Sequence, residues 1–254
     1  MKQSIILWLG AFVITFLFAF WNRFSSPEYP ITGSFGINMK SVTFKFDKVY
    51  RGNDSYKIII KTDTDSLNGR ILWRKNGSNS GWNTAPMNFS DKTLSGKIPH
   101  EPPSTIIDYR VKVWKGENVF YLPQSGMVTL KYLGNVPPSI MGFYFLTLYL
   151  ALLLSVRTGL DYFNENQKIK KLSLFTVMIW IANVMVFNPV KRSYELSSRI
   201  GTAILPITEL FDFRHLLLLI IWILGIVLIF NIKNYKIWAG IITVAILIAF
   251  LFVG

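Results

Sequence analysis

Hydrophobic and polar positions follow two rules along this chain. Between residues 41 and 133 they alternate. Val42, Phe44 and Phe46 share one face of a predicted strand, with Thr43, Lys45 and Asp47 on the other. Tyr56–Asp63 is β-branched and apolar through Ile58, Ile59 and Ile60, and Arg70–Lys75 puts Ile71 and Trp73 on one face. Ile107, Tyr109, Val111 and Val113 alternate with Asp108, Arg110 and Lys112, the clearest half-buried strand. Trp82–Phe89, Lys92–Ile98, Val119–Leu122 and Met127–Tyr132 complete the set. Turn clusters separate them, as at Asn76–Gly81 and Lys115–Asn118. Short strands with frequent turns predict an antiparallel β-sandwich over 41–133, with Trp73 filling its core.

Elsewhere the apolar positions run together. Ile5 to Trp21 is an uncharged run preceded by Lys2. Its length of about 17 residues is near the lower limit for a spanning helix. A cleaved signal peptide wants small residues at both −3 and −1, and Leu17-Phe18-Ala19 supplies one. Residues 1–22 therefore read as an uncleaved transmembrane signal anchor. Residues 23–40, with Pro27, Pro30, Gly33 and Gly36, read as a linker. Residues 134–254 carry four further apolar runs, at about 140–156, 172–190, 213–232 and 237–254, predicting a four-helix transmembrane domain. The stretch 200–212 is too short to span and is broken by Gly201 and Pro206, so it is expected to be re-entrant or interfacial. The predicted fold class is thus an α + β membrane protein: anchor helix, sandwich, then bundle.

Composition sharpens this division. The 254 residues are 51% hydrophobic and 16% charged, against about a quarter charged for a soluble domain. Net charge is +13. In a chain with membrane segments such charge points to lipid and topology signalling, and no nucleic-acid partner is expected. The absence of cysteine excludes disulfides and thiolate chemistry. Basic residues in the short loops set the orientation. Lys2, Arg157, Lys168, Lys170, Lys171, Lys233 and Lys236 gather on one side, against Lys191, Arg192, Arg199 and Arg214 on the other. The N-terminus is therefore expected inside, with the β domain and the C-terminus outside.

Two groups of residues carry resemblances. Ile71-Leu72-Trp73-Arg74, Gly81-Trp82, Met87, Leu94–Pro99 and Ile107–Val111 together resemble the fibronectin type III or immunoglobulin-like modules of exported bacterial proteins. That resemblance covers about 40–133 and implies a fold and an extracytoplasmic setting, here at a bacterial inner membrane. It implies no activity. Arg157-Thr158-Gly159-Leu160-Asp161 and Glu209-Leu210-Phe211-Asp212-Phe213-Arg214 are similar to stretches of uncharacterised bacterial membrane proteins that join such a module to four helices. Thr208 stands where those proteins have a histidine.

Candidate chemistry concentrates at 209–215. On a continuous helix Glu209 and Asp212 would share a face and could bind a cation or hold a proton. Alternatively Asp212 caps the following helix, with Arg214 pairing or snorkelling. Glu209, Asp212, Arg214 and His215 are the ligand or ion candidates. A haem held by two histidines is not expected, because His100, the other histidine, falls in the β module. Neither a metal nor any cofactor is expected. Trp82, Trp114, Arg110 and Lys112 in the module, and Lys191, Arg192 and Arg199 beside the third span, are partner-contact candidates, with the two tryptophans expected to be exposed. No Gly-x-Ser-x-Gly, His-Glu-x-x-His, P-loop or dinucleotide fingerprint occurs, so no catalytic residue is assigned.

The expectation is a non-catalytic, multi-pass membrane component. Its exported domain would bind a protein or glycan partner. Its helices would meet lipid and anchor it or dock other membrane subunits. The alternative is a small ion- or proton-linked transporter or sensor using the cluster at 209–215.

Overall fold

The computed structural model describes residues 2–37, 40–77, 81–165, 167–196 and 206–252. The chain divides into two compact units. One comprises Met1–Pro27, Val136–Tyr194 and Ala203–Gly254; the other comprises Glu28–Asn135 and Glu195–Thr202.

The second unit holds the strands. They are β1 (Ile31–Ile37), β2 (Lys40–Phe46), β3 (Val49–Tyr50), β4 (Tyr56–Thr62), β5 (Asn68–Lys75), β6 (Asn83–Ser90), β7 (Thr93–Ile98), β8 (Ile106–Lys115), β9 (Asn118–Leu122) and β10 (Val128–Tyr132). Alternation decides each face. Along β4, Tyr56, Ile58, Ile60 and Thr62 are buried while Lys57, Ile59 and Lys61 are exposed. Along β8, Ile107, Tyr109, Val111 and Val113 are wholly buried.

These strands form one curled ten-stranded sheet in the order β1-β2-β4-β7-β6-β5-β8-β10-β3, with β9 also paired to β8. The sequence predicted two stacked layers. In the structure β6 bonds to β5 through Asn83–Met87 and to β7 through Asn88–Ser90, so one strand serves both halves and the sheet curls around a single core. Phe46 of β2 meets Tyr109 of β8 edge-on at 5.7 Å. Tyr109 and Tyr132 are among the largest fully buried side chains, and Trp73, expected at the centre, only packs against the core from its margin. The linker is shorter than expected, because β1 lies within 23–40 and pairs with β2 from Ile31↔Phe46 to Ile37↔Lys40. The two-residue β3 runs parallel to β10 and carries too little pattern to be seen in the sequence.

The first unit is helical. It contains α1 (Lys2–Ser25), α2 (Pro138–Leu160), α3 (Ile169–Ile181), α4 (Asn188–Leu196, which leaves this unit after Tyr194), α5 (Ile207–Leu210), α6 (Phe213–Asn231) and α7 (Tyr235–Phe250). A 3₁₀ turn, Asp161–Phe163, follows α2, and a π-helical stretch, Ala182–Phe187, joins α3 to α4. Pro189 explains the widened turn. It has no N–H to offer the Met185 carbonyl and its ring crowds that oxygen, so the helix opens just before it.

Among the described residues four helices, Gln3–Ser25, Pro138–Phe163, Ile169–Leu196 and Phe213–Asn231, are long and apolar enough to cross a membrane. The fifth predicted span is shorter than expected. α7 has 16 residues, about 24 Å, against a hydrocarbon core of about 30 Å. Residues 253–254 of that prediction lie outside the described residues.

Helices α2, α3, α6 and α7 pack in a ring, α2 on α3, α3 on α6, α6 on α7 and α7 back on α2, while α1 lies against α2. The close approach of α2 and α7 requires Gly159, where a β-carbon would stand 2.5 Å from Thr243 Oγ1. Gln3 bonds to the Phe163 carbonyl and Asn22 to the Phe250 carbonyl, so α1 runs antiparallel to α2 and parallel to α7. At the α2 C-terminus Arg157 and Asp161, both buried, pair at 2.9 Å. Asp161 also accepts from Asn164 Nδ2 and from the Lys168 amide, which closes the loop into α3.

Candidate functional site

Two groupings bring sequence-predicted residues together, one in each unit.

In the β unit the grouping is the outward face of β5, β8 and β9. Their inward positions fill the core, so Arg70, Leu72 and Arg74 on β5, Arg110, Lys112 and Trp114 on β8, and Tyr121 on β9 point away from it. Register sets them side by side. Arg70 opposes Lys112, Leu72 opposes Arg110, and Lys112 opposes Tyr121. Trp82, just before β6, lies under both guanidinium groups, with Arg74 at 4.8 Å and Arg110 at 5.4 Å from its ring centroid. Arg110 also lies 4.7 Å from the Tyr121 ring. The result is a layered stack in which rings hold guanidinium groups by cation–π attraction. Trp82 and Trp114 are half-buried rather than exposed.

Asp108 is the one carboxylate on these three strands. It is buried, and it accepts from Thr129 Oγ1 at 2.8 Å and Asn76 Nδ2 at 3.1 Å. Among the described residues no carboxylate lies within 4.0 Å of Arg70, Arg74, Arg110 or Lys112. The face is therefore a positively charged, ring-braced surface.

In the helical unit the grouping surrounds His215. Asp212 is the N-cap of α6, and its Oδ1 accepts from the Arg214 amide at 3.0 Å. His215, one turn on, is buried. Its Nε2 and the Tyr144 hydroxyl of α2 share a hydrogen bond at 2.9 Å. Its Nδ1 stands 3.4 Å from Asp212 Oδ2, within ion-pair distance but without a formed hydrogen bond. The imidazole beside Asp212 nevertheless holds its carboxyl down at about 2, with the Arg214 amide helping and partial burial opposing. Asn183, on the π-helical stretch, donates to the Tyr144 carbonyl at 3.0 Å and to Thr147 Oγ1 at 2.9 Å. Lys191 lies 4.6 Å from the Tyr144 ring centroid. Asn183 Oδ1 and both polar atoms of the Asn188 side chain are buried without a hydrogen-bond partner among the described residues.

This geometry corrects one expectation. Glu209 and Asp212 do not share a helix face, because α5 ends at Leu210 and Phe211 is extended. Glu209 instead offers its carbonyl to Arg192 Nε and Nη2, both at 3.2 Å. Arg214 is exposed at the start of α6. Arg199 and residues 200–205 lie outside the described residues. Sequence reasoning missed Tyr144 as a partner of His215 and missed Arg74 and Tyr121 as parts of the stack. Their only sequence signal was their type, since nothing local links them to residues on other elements. Among the described residues no group of His, Asp and Glu could hold a metal ion. No protein-family model matches this chain, and the curated proteins include no match to it.

Proposed function

We propose that this chain is a non-catalytic integral membrane component. Its helical unit anchors it in a bacterial inner membrane, and its β unit, an immunoglobulin- or fibronectin type III-like domain, works outside as the binding part. The observation that carries this reading is the stack on β5, β8 and β9, where Trp82, Arg110, Lys112 and Trp114 lie on one face. The strand order supports the domain reading. β2-β4-β7 and β6-β5-β8 with β9 and β10 follow the two-sheet order of such modules, with β6 bridging them. The helix directions, α1 antiparallel to α2 and parallel to α7, fit an alternating path through a membrane, and the short-loop basic residues orient that path with the N-terminus inside and the β unit outside.

The absence of cysteine makes the test clean. Single substitutions Ser90→Cys on β6 and Glu165→Cys in the loop after α2 are labelled in whole cells with a membrane-impermeant maleimide. Ser90→Cys should react in intact cells and Glu165→Cys only after lysis. The reverse pattern would sink the reading.

The burial of His215 between Asp212 and Tyr144 favours a second reading, a proton-linked transporter or sensor. Purified chain in liposomes enclosing a pH-sensitive dye decides it. A proton flux lost in His215→Gln would support that reading, and no flux above empty liposomes would remove transport.

A further inference from the structure

We propose that the outward face of β5, β8 and β9 is a binding surface for an acidic polysaccharide, a linear glycan with carboxylates along its length. The proposal deepens the reading above and rests on the β unit being the exported binding part.

Charge is the first argument. Arg70, Arg74, Arg110 and Lys112 share this face, and Asp108, the one acid on these strands, has its oxygens engaged by Thr129 and Asn76. Arg70 and Lys112 stand directly opposite each other across β5 and β8, an arrangement that repels and weakens the pairing. An anionic ligand turns that repulsion into attraction.

Rigidity is the second. Lys57 and Lys97 also oppose each other, on β4 and β7, but ammonium groups on long flexible stems can swing apart in water. Arg74 and Arg110 lie over Trp82, and Arg110 also lies over Tyr121. Guanidinium groups braced in this way lose little further freedom on binding, and the Nε of Arg110 is itself buried with its hydrogen-bonding capacity unspent among the described residues. A planar fork of donors matches a carboxylate with two parallel hydrogen bonds.

Shape and ring content choose among anions. Neighbouring strands lie about 4.8 Å apart and successive outward residues about 6.7 Å apart, so the cations form a lattice across a broad face. A linear acidic glycan offers repeating carboxylates to such a lattice. Its sugar C–H faces can also pack on the exposed part of Tyr121, which is 40% exposed, and on Trp114. Protein interfaces also favour tryptophan, tyrosine and arginine but are depleted in lysine at their cores, so Lys112 set directly opposite Arg70 is what turns this face toward a repeating anion.

The full-length chain, held in zwitterionic-lipid nanodiscs, is titrated with polygalacturonate and, as a neutral control, dextran. Saturable binding to polygalacturonate that weakens with salt, and none to dextran, is expected. The double variant Arg110→Gln/Lys112→Gln should weaken binding at least about tenfold. Lys57→Gln/Lys97→Gln, with the same loss of charge elsewhere, should leave it unchanged. Arg110→Lys keeps the charge and the surface but loses the planar fork, and should weaken binding several-fold, which separates recognition from misfolding. Equal losses in both double variants would overturn the proposal in favour of unspecific charge. So would binding to anionic-lipid nanodiscs but not to polygalacturonate, again sensitive to Arg110 and Lys112, since that would assign the face to lipid. No polygalacturonate binding, with a reproducible protein partner lost in Arg110→Gln/Lys112→Gln, would refute the glycan and keep the exported binding domain. Ser90→Cys inaccessible from outside would refute both.

Discussion

Trp222 donates its indole N–H to the Ser155 hydroxyl oxygen at 2.8 Å, and both residues are completely buried. Trp180 donates to the same oxygen at 3.1 Å, while the hydroxyl itself donates to the Ala151 carbonyl at 2.7 Å. Thr243 Oγ1 donates to the Ser155 backbone carbonyl at 2.8 Å. One serine on α2 thus ties α3, α6 and α7 together in the middle of an apolar ring. In Ser155→Ala both indole N–H groups lose their acceptor where no water can replace it. The expected cost is on the order of 2 kcal/mol for two buried donors left unpaired. Thermal unfolding in mild detergent, followed by tryptophan fluorescence, measures it. A variant within about 0.5 kcal/mol of the parent would show that the ring holds without this serine.

Two glycine-to-alanine changes should have opposite signs. At Gly159 the new β-carbon would meet Thr243 Oγ1 at 2.5 Å and Thr243 Cβ at 2.8 Å, and that threonine is held by its bond to Ser155. Gly159→Ala should destabilise by about 1–3 kcal/mol through overpacking. At Gly240, on α7, nothing lies within 4 Å, so Gly240→Ala should stabilise by about 0.4–1 kcal/mol through the freedom it removes from the unfolded chain. Paired melting curves test this, and a stabilising Gly159→Ala would contradict the packing of α2 on α7.

Asp212 predicts a pH dependence of definite sign. Its carboxyl is lowered to about 2 in the folded chain from an ordinary 3.8. A depressed folded value means stability that is present above about pH 4 and is lost as pH falls toward 2. The side chain is 30% exposed, so solvent screening limits the effect to about 1 kcal/mol at most. Asp212→Asn keeps the helix cap and should cost less than Asp212→Ala, which should lose about 1 kcal/mol at pH 7. The gap between parent and Asp212→Asn should close between pH 4 and pH 2. Unfolding at several pH values in a non-ionic detergent reads it out, and a gap constant with pH would remove the His215 contact from the account.

Much of the fold was legible because it rests on local pattern. Alternation along β4 and β8 marks their buried faces, and long uncharged runs mark α1, α2 and α6, since each depends only on a residue's near neighbours. Boundaries were less legible. β1 lay hidden in a Pro- and Gly-bearing stretch, where Gly33 and Gly36 suggested a linker, and only pairing with β2 makes it a strand. The helix break at Phe211 was hidden for a related reason. Glu209 and Asp212 have the spacing of a helix face, but whether the helix continues between them depends on packing beyond that window.

The amino-acid order by itself determined an α + β chain with membrane-length helices, a β-rich middle and an excess of positive charge, because hydrophobic period, run length and composition are summed along the chain. Tertiary structure alone decided that β6 joins both halves of the sheet, that His215 turns inward to Tyr144, and that Arg74 and Arg110 close over Trp82. Each of these depends on residues far apart in sequence being brought within a few ångströms. That proximity comes from strand register and helix packing, which many distant side chains settle together.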